Sequence, residues 1–102
     1  MRFSWSEAKR QSNLSDHGLD FVDAPRVFEG LTNTFEDHRV DYGEERFVTL
    51  GLLDAVVVSI VETESPRLIR VISLRKATKH EQAIFFRSIK DRLGAGSRAE
   101  GA

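Results

Sequence analysis

The chain has 102 residues, of which 40% are hydrophobic and 30% are charged, with a formal net charge of −1 at pH 7 and no cysteine. This length and composition indicate one globular domain and exclude a disordered chain, a collagen-like chain and a disulfide framework. The apolar runs are too short to span a bilayer and the first residues lack the apolar segment of a secretory signal, so we expect a cytoplasmic protein without membrane contact.

The first elements of the chain are indicated by capping residues. Residues 2–5 alternate polar and aromatic side chains and predict a short strand. Ser6 is a suitable N-cap for a first helix, which Gly18 ends in the left-handed conformation. A second helix is predicted to begin near Asp20 and to end at Gly30. Pro25 either lies in its first turn, if the helix starts only at Asp23, or kinks the helix.

Beyond Gly30 the period of the pattern changes from helical to strand-like. The predicted strands cover residues 31–35, 46–52, 55–61 and 68–74. The connections at residues 53–54 and 64–66 are short enough for hairpins, and the second contains a proline at a turn position. Strands joined by hairpins predict an antiparallel meander.

The end of the chain predicts a last helix. Thr78 and Glu81 match a capping box, and Gly94 is expected to end the helix ahead of a disordered tail over residues 94–102. An apolar stripe runs along this helix, formed by Phe85, Phe86, Ile89 and Leu93. The order β-α-α-β-β-β-β-α predicts one two-layer α+β domain over residues 1–93, an antiparallel sheet with its helices on one face. The other sheet face is then partly open.

The charges are distributed unevenly. Residues 1–51 carry six basic and ten acidic side chains, whereas residues 52–102 carry nine basic and six acidic ones. The near-zero total argues against nonspecific coating of nucleic acid, but a local basic cluster can hold a short stretch of phosphates. Two solvated faces of opposite charge are the alternative interpretation.

Most kinds of catalytic site find no support in the sequence. The histidines, His17, His38 and His80, lie far apart and have no second ligand type at zinc spacing, so we expect no metal site. No nucleophile elbow and no glycine-rich phosphate loop are present, which excludes acyl transfer and nucleotide hydrolysis by those motifs.

Arginines on the predicted strands are the remaining candidates. Arg46 opens one strand, whereas Arg70 and Arg75 belong to another, on which Ser73 has the same parity as Arg75. A guanidinium group holds phosphate with a forked pair of N–H groups. The open sheet therefore predicts a platform for an RNA backbone, and its further RNA-binding residues are Lys76 and Lys79.

Several segments of the chain are similar to a known family. They are W-S-E-A-K at 5–9, H-G-L-D-F-V-D-A at 17–24, V-F at 27–28, D-x-R-V-D-Y-G-E-E-R at 37–46, L-G-L-L-D at 50–54 and R-V-I-S-L-R-K-A-T-K-H-E at 70–81. From residue 2 to about residue 86 the chain resembles the BrnT family, ribonuclease toxins of bacterial type II toxin-antitoxin modules with a RelE-like fold. The resemblance implies a BrnA-like antitoxin with a ribbon-helix-helix part that binds operator DNA.

The resemblance also implies roles for the basic residues. RelE-like enzymes often cleave RNA with several basic side chains in place of a standard acid-base pair of histidines, so Arg46, Arg70 and Arg75 would hold phosphate, and we expect no metal or cofactor. Lys9 or His17 would supply proton transfer or further charge. Arg75 is the strongest candidate, because a strand end beside a helix N-terminus concentrates positive potential.

Each of these roles has a structural alternative. Lys9 is otherwise a solvated helix residue, His17 a cap for the last carbonyls of its helix, and Arg46 a partner of Glu44 or Glu45. Glu81 is better explained by the capping box than by general-base catalysis. The acidic segment over residues 37–45 is either a metal site, a mimic of RNA or, the reading we favour, a charged turn.

Two function classes follow from the sequence. The first is a toxin that cleaves RNA as a metal-independent endoribonuclease and inhibits translation. The second is a catalytically weak module that binds its antitoxin and modulates the antitoxin's binding to DNA. The R-x-x-S-x-R-K pattern at 70–76 favours the first class, whereas Phe85, where family members often have tyrosine, favours the second.

Overall fold

The helices and strands follow one another in the predicted order. The computed structural model describes residues 1–39, 41 and 43–101, with side chains described as far as Leu93. The elements are β1 (Arg2–Ser4), α1 (Glu7–His17), a 3-10 turn (Phe21–Asp23), α2 (Ala24–Glu29), β2 (Thr32–Glu36), β3 (Phe47–Leu53), β4 (Val56–Ser65), β5 (Leu68–Lys76) and α3 (Lys79–Gly101). The predicted α+β class and element order are confirmed.

The capping residues behave as their chemistry requires. The Ser6 hydroxyl accepts a hydrogen bond from the backbone N–H of Lys9 at 3.4 Å, and Gly18 has a φ of +69°. α2 begins at Ala24, so Pro25 lies in its first turn, where its missing N–H breaks no helical hydrogen bond. Of the two predicted alternatives for this proline, the kink is therefore wrong.

The five strands form one sheet in the order β1-β5-β4-β3-β2. β2 to β5 form the predicted antiparallel meander, and β1 adds to it by pairing in parallel with β5. Asp54 and Ala55 join β3 to β4, and both have positive φ, at 50° and 68°. Two such residues are the geometry of a tight hairpin whose twist matches that of the strands.

The helices divide between the two faces of the sheet, so the prediction that they share one face is wrong. Phe21, Ala24 and Val27 pack on one face, against a cluster of buried side chains that includes Leu53, Val58, Ile60, Val71 and Leu74. On the other face, Phe85 of α3 packs with Val48, Leu50, Val57 and Val61. We call these the α2 face and the α3 face. β3 and β4 carry apolar side chains on both faces, and each face requires a cover.

The last helix is longer than its sequence predicts. α3 continues to Gly101, so the prediction that Gly94 ends it is wrong. A glycine inside a helix costs only about 1 kcal/mol relative to alanine, and alanine, arginine and glutamate follow it. The disorder expected for residues 94–102 stays a prediction. In the described part of the chain, no helix is both long enough and apolar enough to cross a membrane.

Candidate active site

α1 is attached to the edge of β5 through one buried side chain, that of Asn13. The amide nitrogen of Asn13 donates to the carbonyl oxygens of Leu74 (2.8 Å) and Leu19 (2.9 Å). Its amide oxygen accepts the backbone N–H of Leu74 at 3.1 Å. β1 pairs with β5 only as far as Arg70. Farther along β5, the Asn13 side chain forms the hydrogen bonds with the backbone of Leu74 that a neighbouring strand would otherwise form.

Two candidate site residues flank Asn13 on α1. Lys9 lies four residues before it and His17 four residues after it, so the three side chains share one face of the helix. Both side chains are exposed. Because Asn13 lies against Leu74, α1 brings Lys9 and His17 to the edge of the strand that carries the candidate arginines.

Arg70 and Arg75 lie on the same face of the sheet because β5 contains one extra residue. Their separation of five positions would place them on opposite faces of a regular strand. The register shifts at the bulge, however: Val61 of β4 pairs with Ser73, but the next residue pairs with Val71, which leaves Ile72 between the two pairs. Ile72 packs in the α3-face cluster. The bulge therefore directs Arg70, Ser73 and Arg75 to the α3 face.

Arg75 is held in place by a carboxylate. Its Nη1 and Nη2 atoms donate to the two oxygens of Glu81 at 2.7 and 3.0 Å, and Nη1 also donates to the carbonyl of Lys76 at 3.1 Å. Glu81 also closes the capping box, because Oε1 accepts the N–H of Thr78 at 2.9 Å and Thr78 Oγ1 accepts that of Glu81 at 3.1 Å. Burial raises the pKa of Glu81, but hydrogen bonds from Arg75 and Thr78 outweigh it and leave this pKa below its ordinary value.

The other predicted site residues lie farther from Arg75. Lys76 pairs with Val58, so its side chain is directed to the α2 face, and Lys79 is exposed at the start of α3. Arg46 directly precedes β3 and has the parity of Val48 on the α3 face. The predicted ion pair of Arg46 with Glu44 is present, at 3.9 Å.

A cleft of about 500 Å³ separates the β2–β3 connection from the first turns of α3. It is lined by Phe35, Glu36, Asp37, His38, Arg39, Val48, His80, Glu81 and Ile84. The structure thus brings together His38 and His80, which the sequence analysis set aside because they lie far apart in the chain. Glu81 connects the cleft directly to Arg75.

The acidic segment before β3 begins with a buried carboxylate. The Asp37 side chain is 1% exposed and accepts hydrogen bonds from the backbone N–H of Arg39 at 3.1 Å and from its Nε and Nη2 atoms at 2.8 Å each. Among the described residues, no group of three or more histidine, cysteine or acidic side chains could hold a metal ion. These contacts support a structural role for residues 37–39. The predicted turn also includes residues 40 and 42, which lie outside the described residues.

A second buried acid lies on the α2 face, away from the cleft. Glu62 is fully buried, and its Oε2 atom accepts a hydrogen bond from the Thr49 hydroxyl at 2.9 Å. Burial raises the pKa of Glu62 to about 9, and the neighbouring Glu64 adds to the rise. The Glu62 carboxyl group therefore affects the stability of the fold and is not part of the candidate site.

Phe85 also lies outside the cleft. Its ring projects from α3 towards the sheet and is completely buried among Val48, Leu50 and Val61. A residue in this place contacts the core and not the cleft. The substitution of phenylalanine for tyrosine therefore gives no support to the weak-module interpretation.

Comparison with protein families gives one match. The model described as "Ribonuclease toxin, BrnT, of type II toxin-antitoxin system" matches residues 5–81, about three quarters of the chain. A comparison with curated proteins finds no match. The matched segment begins directly after β1 and includes α1, α2, the whole meander and the capping box of α3.

Proposed function

Because this chain belongs to the BrnT family of ribonuclease toxins of type II toxin-antitoxin systems, we propose that it is an endoribonuclease that cleaves RNA without a metal ion and thereby inhibits translation. The observation that carries the proposal is the bulge at Ile72, which directs Arg70, Ser73 and Arg75 to one face beside a cleft. Three donors on one surface suit the non-bridging oxygens of a phosphodiester.

Arg75 is oriented for this task by its partner. Glu81 and the Lys76 carbonyl take three of its N–H groups, which leaves the Nε–H and one Nη2–H for phosphate. A donor fixed in advance stabilises the phosphorane without reorganisation during the reaction. Arg70 is exposed on the same face and supplies a second guanidinium, and Arg46 supplies a third at the start of β3.

The remaining basic residues would extend the contact with RNA. Lys9 and His17 lie along the edge of β5 on either side of Asn13, and Lys79 lies at the N-terminus of α3. We propose that these residues bind backbone phosphates. Lys76 lies at the margin of this surface, because its strand position directs it to the α2 face.

Cleavage in the presence of a chelator tests metal independence. The purified chain is incubated with labelled RNA in excess EDTA, and the products are separated on a gel. We expect cutting to continue, because the arginines supply the positive charge that a metal ion would otherwise provide. Loss of all cutting in EDTA together with recovery in magnesium would contradict the mechanism.

A type II toxin has an antitoxin partner, and we propose that this one is a BrnA-like ribbon-helix-helix protein. In the cytoplasm it would form a hetero-oligomer with the chain, cover the arginines of the α3 face and provide the only contact with operator DNA. Titration of the antitoxin into a complex of the chain with labelled RNA should release the RNA. A stable ternary complex that retains RNA would place the antitoxin elsewhere.

The alternative, a catalytically weak module that modulates the antitoxin's binding to DNA, is favoured by one observation. Glu81 neutralises Arg75 and accepts hydrogen bonds from both of its Nη atoms. Induced expression of the chain without its partner separates the two functions. Growth arrest with cleaved cellular RNA supports the enzyme, whereas normal growth with intact RNA supports the module.

A further inference from the structure

The cleft holds two histidines that the arginine-based mechanism leaves without a task. His38 lies on the β2–β3 connection and His80 in the first turn of α3, and both imidazoles are exposed to the same cavity. We propose that His80 is the general base and His38 the general acid of RNA cleavage. This inference rests on the proposed ribonuclease activity. Imidazole is the side chain whose charge changes most readily near neutral pH.

His38 is positioned to carry a proton. Its Nε2 atom lies 3.2 Å from Oε2 of Glu36, so a carboxylate orients the ring. The residues on either side of His38 are tied together, because the buried Asp37 carboxylate holds both the backbone and the guanidinium of Arg39. The acid is therefore attached to a fixed connection.

His80 has the opposite surroundings. It lies in the first turn of α3, one residue after the start of the helix, and no carboxylate is bonded to it in the described part of the chain. Its ring has no hydrogen-bond partner within the described part of the chain, so both nitrogens can face a substrate. A ring without a partner is free to take a proton from the substrate, as a general base must.

The space around His80 suits an extended RNA strand. His80 and Ile84 line the cleft and also a second groove of about 590 Å³ between α3 and β2. Two cavities of nucleotide size thus meet at His80. A nucleotide on each side would place the phosphate between them beside both imidazoles and next to the Glu81–Arg75 pair.

The proposed reaction is balanced without a co-reactant. His80 takes the proton of the 2′-OH, the 2′ oxygen forms a bond to phosphorus, and the bond from phosphorus to the 5′ oxygen breaks with its electron pair on that oxygen. His38 then gives its proton to the 5′ oxygen. The products are a 2′,3′-cyclic phosphate and a 5′-OH, and the two histidines exchange their protons with water afterwards.

The charged groups around the two imidazoles are mixed in sign. From the β2 side the cleft contains Glu36, Asp37 and Arg39, and from α3 it contains Glu81. Arg87, Asp91 and Arg92 face His80 from the adjoining groove. Two of the acids, Asp37 and Glu81, are already paired with arginines, which leaves Glu36 as the carboxylate that acts on His38.

Single asparagine variants test the assignment. We expect His38→Asn and His80→Asn each to lower kcat for RNA cleavage by about a hundredfold or more, because general acid and base catalysis contribute at least that much. Both side chains are exposed, so the melting temperatures should stay within about two degrees of the parent. Lys90→Asn, an exposed residue of α3 outside both grooves, is the matched control and should retain full activity.

A substrate with sulfur in place of the bridging 5′ oxygen separates the two roles. A thiolate leaves without protonation, so this substrate should restore cleavage by His38→Asn and not by His80→Asn. In the pH dependence of kcat, the loss of activity at high pH should disappear in His38→Asn and the loss at low pH in His80→Asn. Rescue of His80→Asn alone would reverse the assignment and overturn it.

Failure of this inference differs from failure of the proposed function. A parent chain that does not cleave RNA refutes the ribonuclease. A parent that cleaves RNA, together with histidine variants that cleave within about twofold of it and keep its pH profile, refutes only the roles of His38 and His80. Products with a 3′-phosphate as their first detectable end, in place of a cyclic phosphate, also overturn the inference.

Discussion

The two faces of the sheet are made from the same strands but differ in what covers them. On the α2 face, Phe21, Ala24 and Val27 close over a dry cluster in which most side chains are completely buried. On the α3 face the helix covers β2, β3 and β4, and beside it lie Arg70 and Arg75. The α2 face is therefore closed and apolar, whereas the α3 face leaves part of its surface uncovered for charged groups.

The largest expected effect is on the α2 face. Phe21→Ala should lower the free energy of unfolding by about 3 to 5 kcal/mol, because a fully buried ring is replaced by a cavity. Urea unfolding measures this, with half-exposed Val22→Ala as the control. Cleavage per folded molecule should not change. If Phe21→Ala does not fold, Phe21→Leu provides the same comparison, and a loss of activity beyond the loss of folded protein would contradict the division between the faces.

Asn13 lies at the edge of the sheet, between the two faces. Its replacement should have the second-largest effect on the free energy of unfolding. Asn13→Ala leaves the backbone N–H and carbonyl of Leu74 without their partner, which should cost about 2 to 3 kcal/mol. Hydrogen exchange of the Leu74 amide should become much faster. The neighbouring exposed variant Ser12→Ala should leave both quantities nearly unchanged, and equal exchange in Asn13→Ala and the parent would refute the attachment of α1.

Glu62 makes the stability of the α2 face depend on pH. Its pKa in the folded chain, about 9, exceeds its ordinary value of 4.5, so the folded chain keeps a proton that the unfolded chain releases. Stability is therefore full below about pH 4.5 and is lost as the pH rises towards 9. Between pH 6 and pH 8 the loss should be about 3 kcal/mol, because nearly one proton is released on unfolding throughout this range.

Glu62→Gln provides the control for this pH dependence. Glutamine keeps the shape and an acceptor for Thr49 but does not titrate. Urea unfolding of the variant should show little change between pH 6 and pH 8. A slope in the variant equal to that of the parent would mean that another group causes it.

The smallest expected effect in free energy falls on the α3 face. Arg75→Ala should lower RNA cleavage by at least about tenfold, or 1.4 kcal/mol, because one oriented charge at the phosphorane is removed. Its ion pair with Glu81 is partly exposed, so stability should change by less than about 1 kcal/mol. Arg26→Ala, at an ion pair on α2, is the control. Unchanged cleavage with a lower melting temperature would make Arg75 a structural residue.

Much of the fold could be predicted because its determinants are local. Ser6, Gly18, Thr78 and Glu81 cap helices through contacts within three or four residues. The position of the helices relative to the sheet is not local, and there the prediction was wrong. The apolar run at 55–61, interrupted only by Ser59, is typical of a strand buried on both faces, which requires a helix on each.

The site could be predicted only in part, for a similar reason. The arginines of β5 stand out in the sequence, but their common face depends on the bulge at Ile72, which the pairing with β4 sets. His38 and His80 meet only after the meander has placed the β2–β3 connection against α3. No local pattern distinguishes these histidines from solvated ones.

The contact between Asn13 and Leu74 also determines the order in which the chain can fold during synthesis. These two residues are 61 positions apart, and β1 pairs with β5, whose last residue is Lys76. The N-terminal strand and helix therefore have no docking surface until three quarters of the chain has left the ribosome. Contacts between residues so far apart in the sequence slow folding. The strand that carries the basic surface, β5, is also the last strand to be synthesised. A nascent chain that stops before β5 has neither the docking surface for α1 nor Arg70 and Arg75, so the RNA-binding surface that we propose forms only with the complete domain.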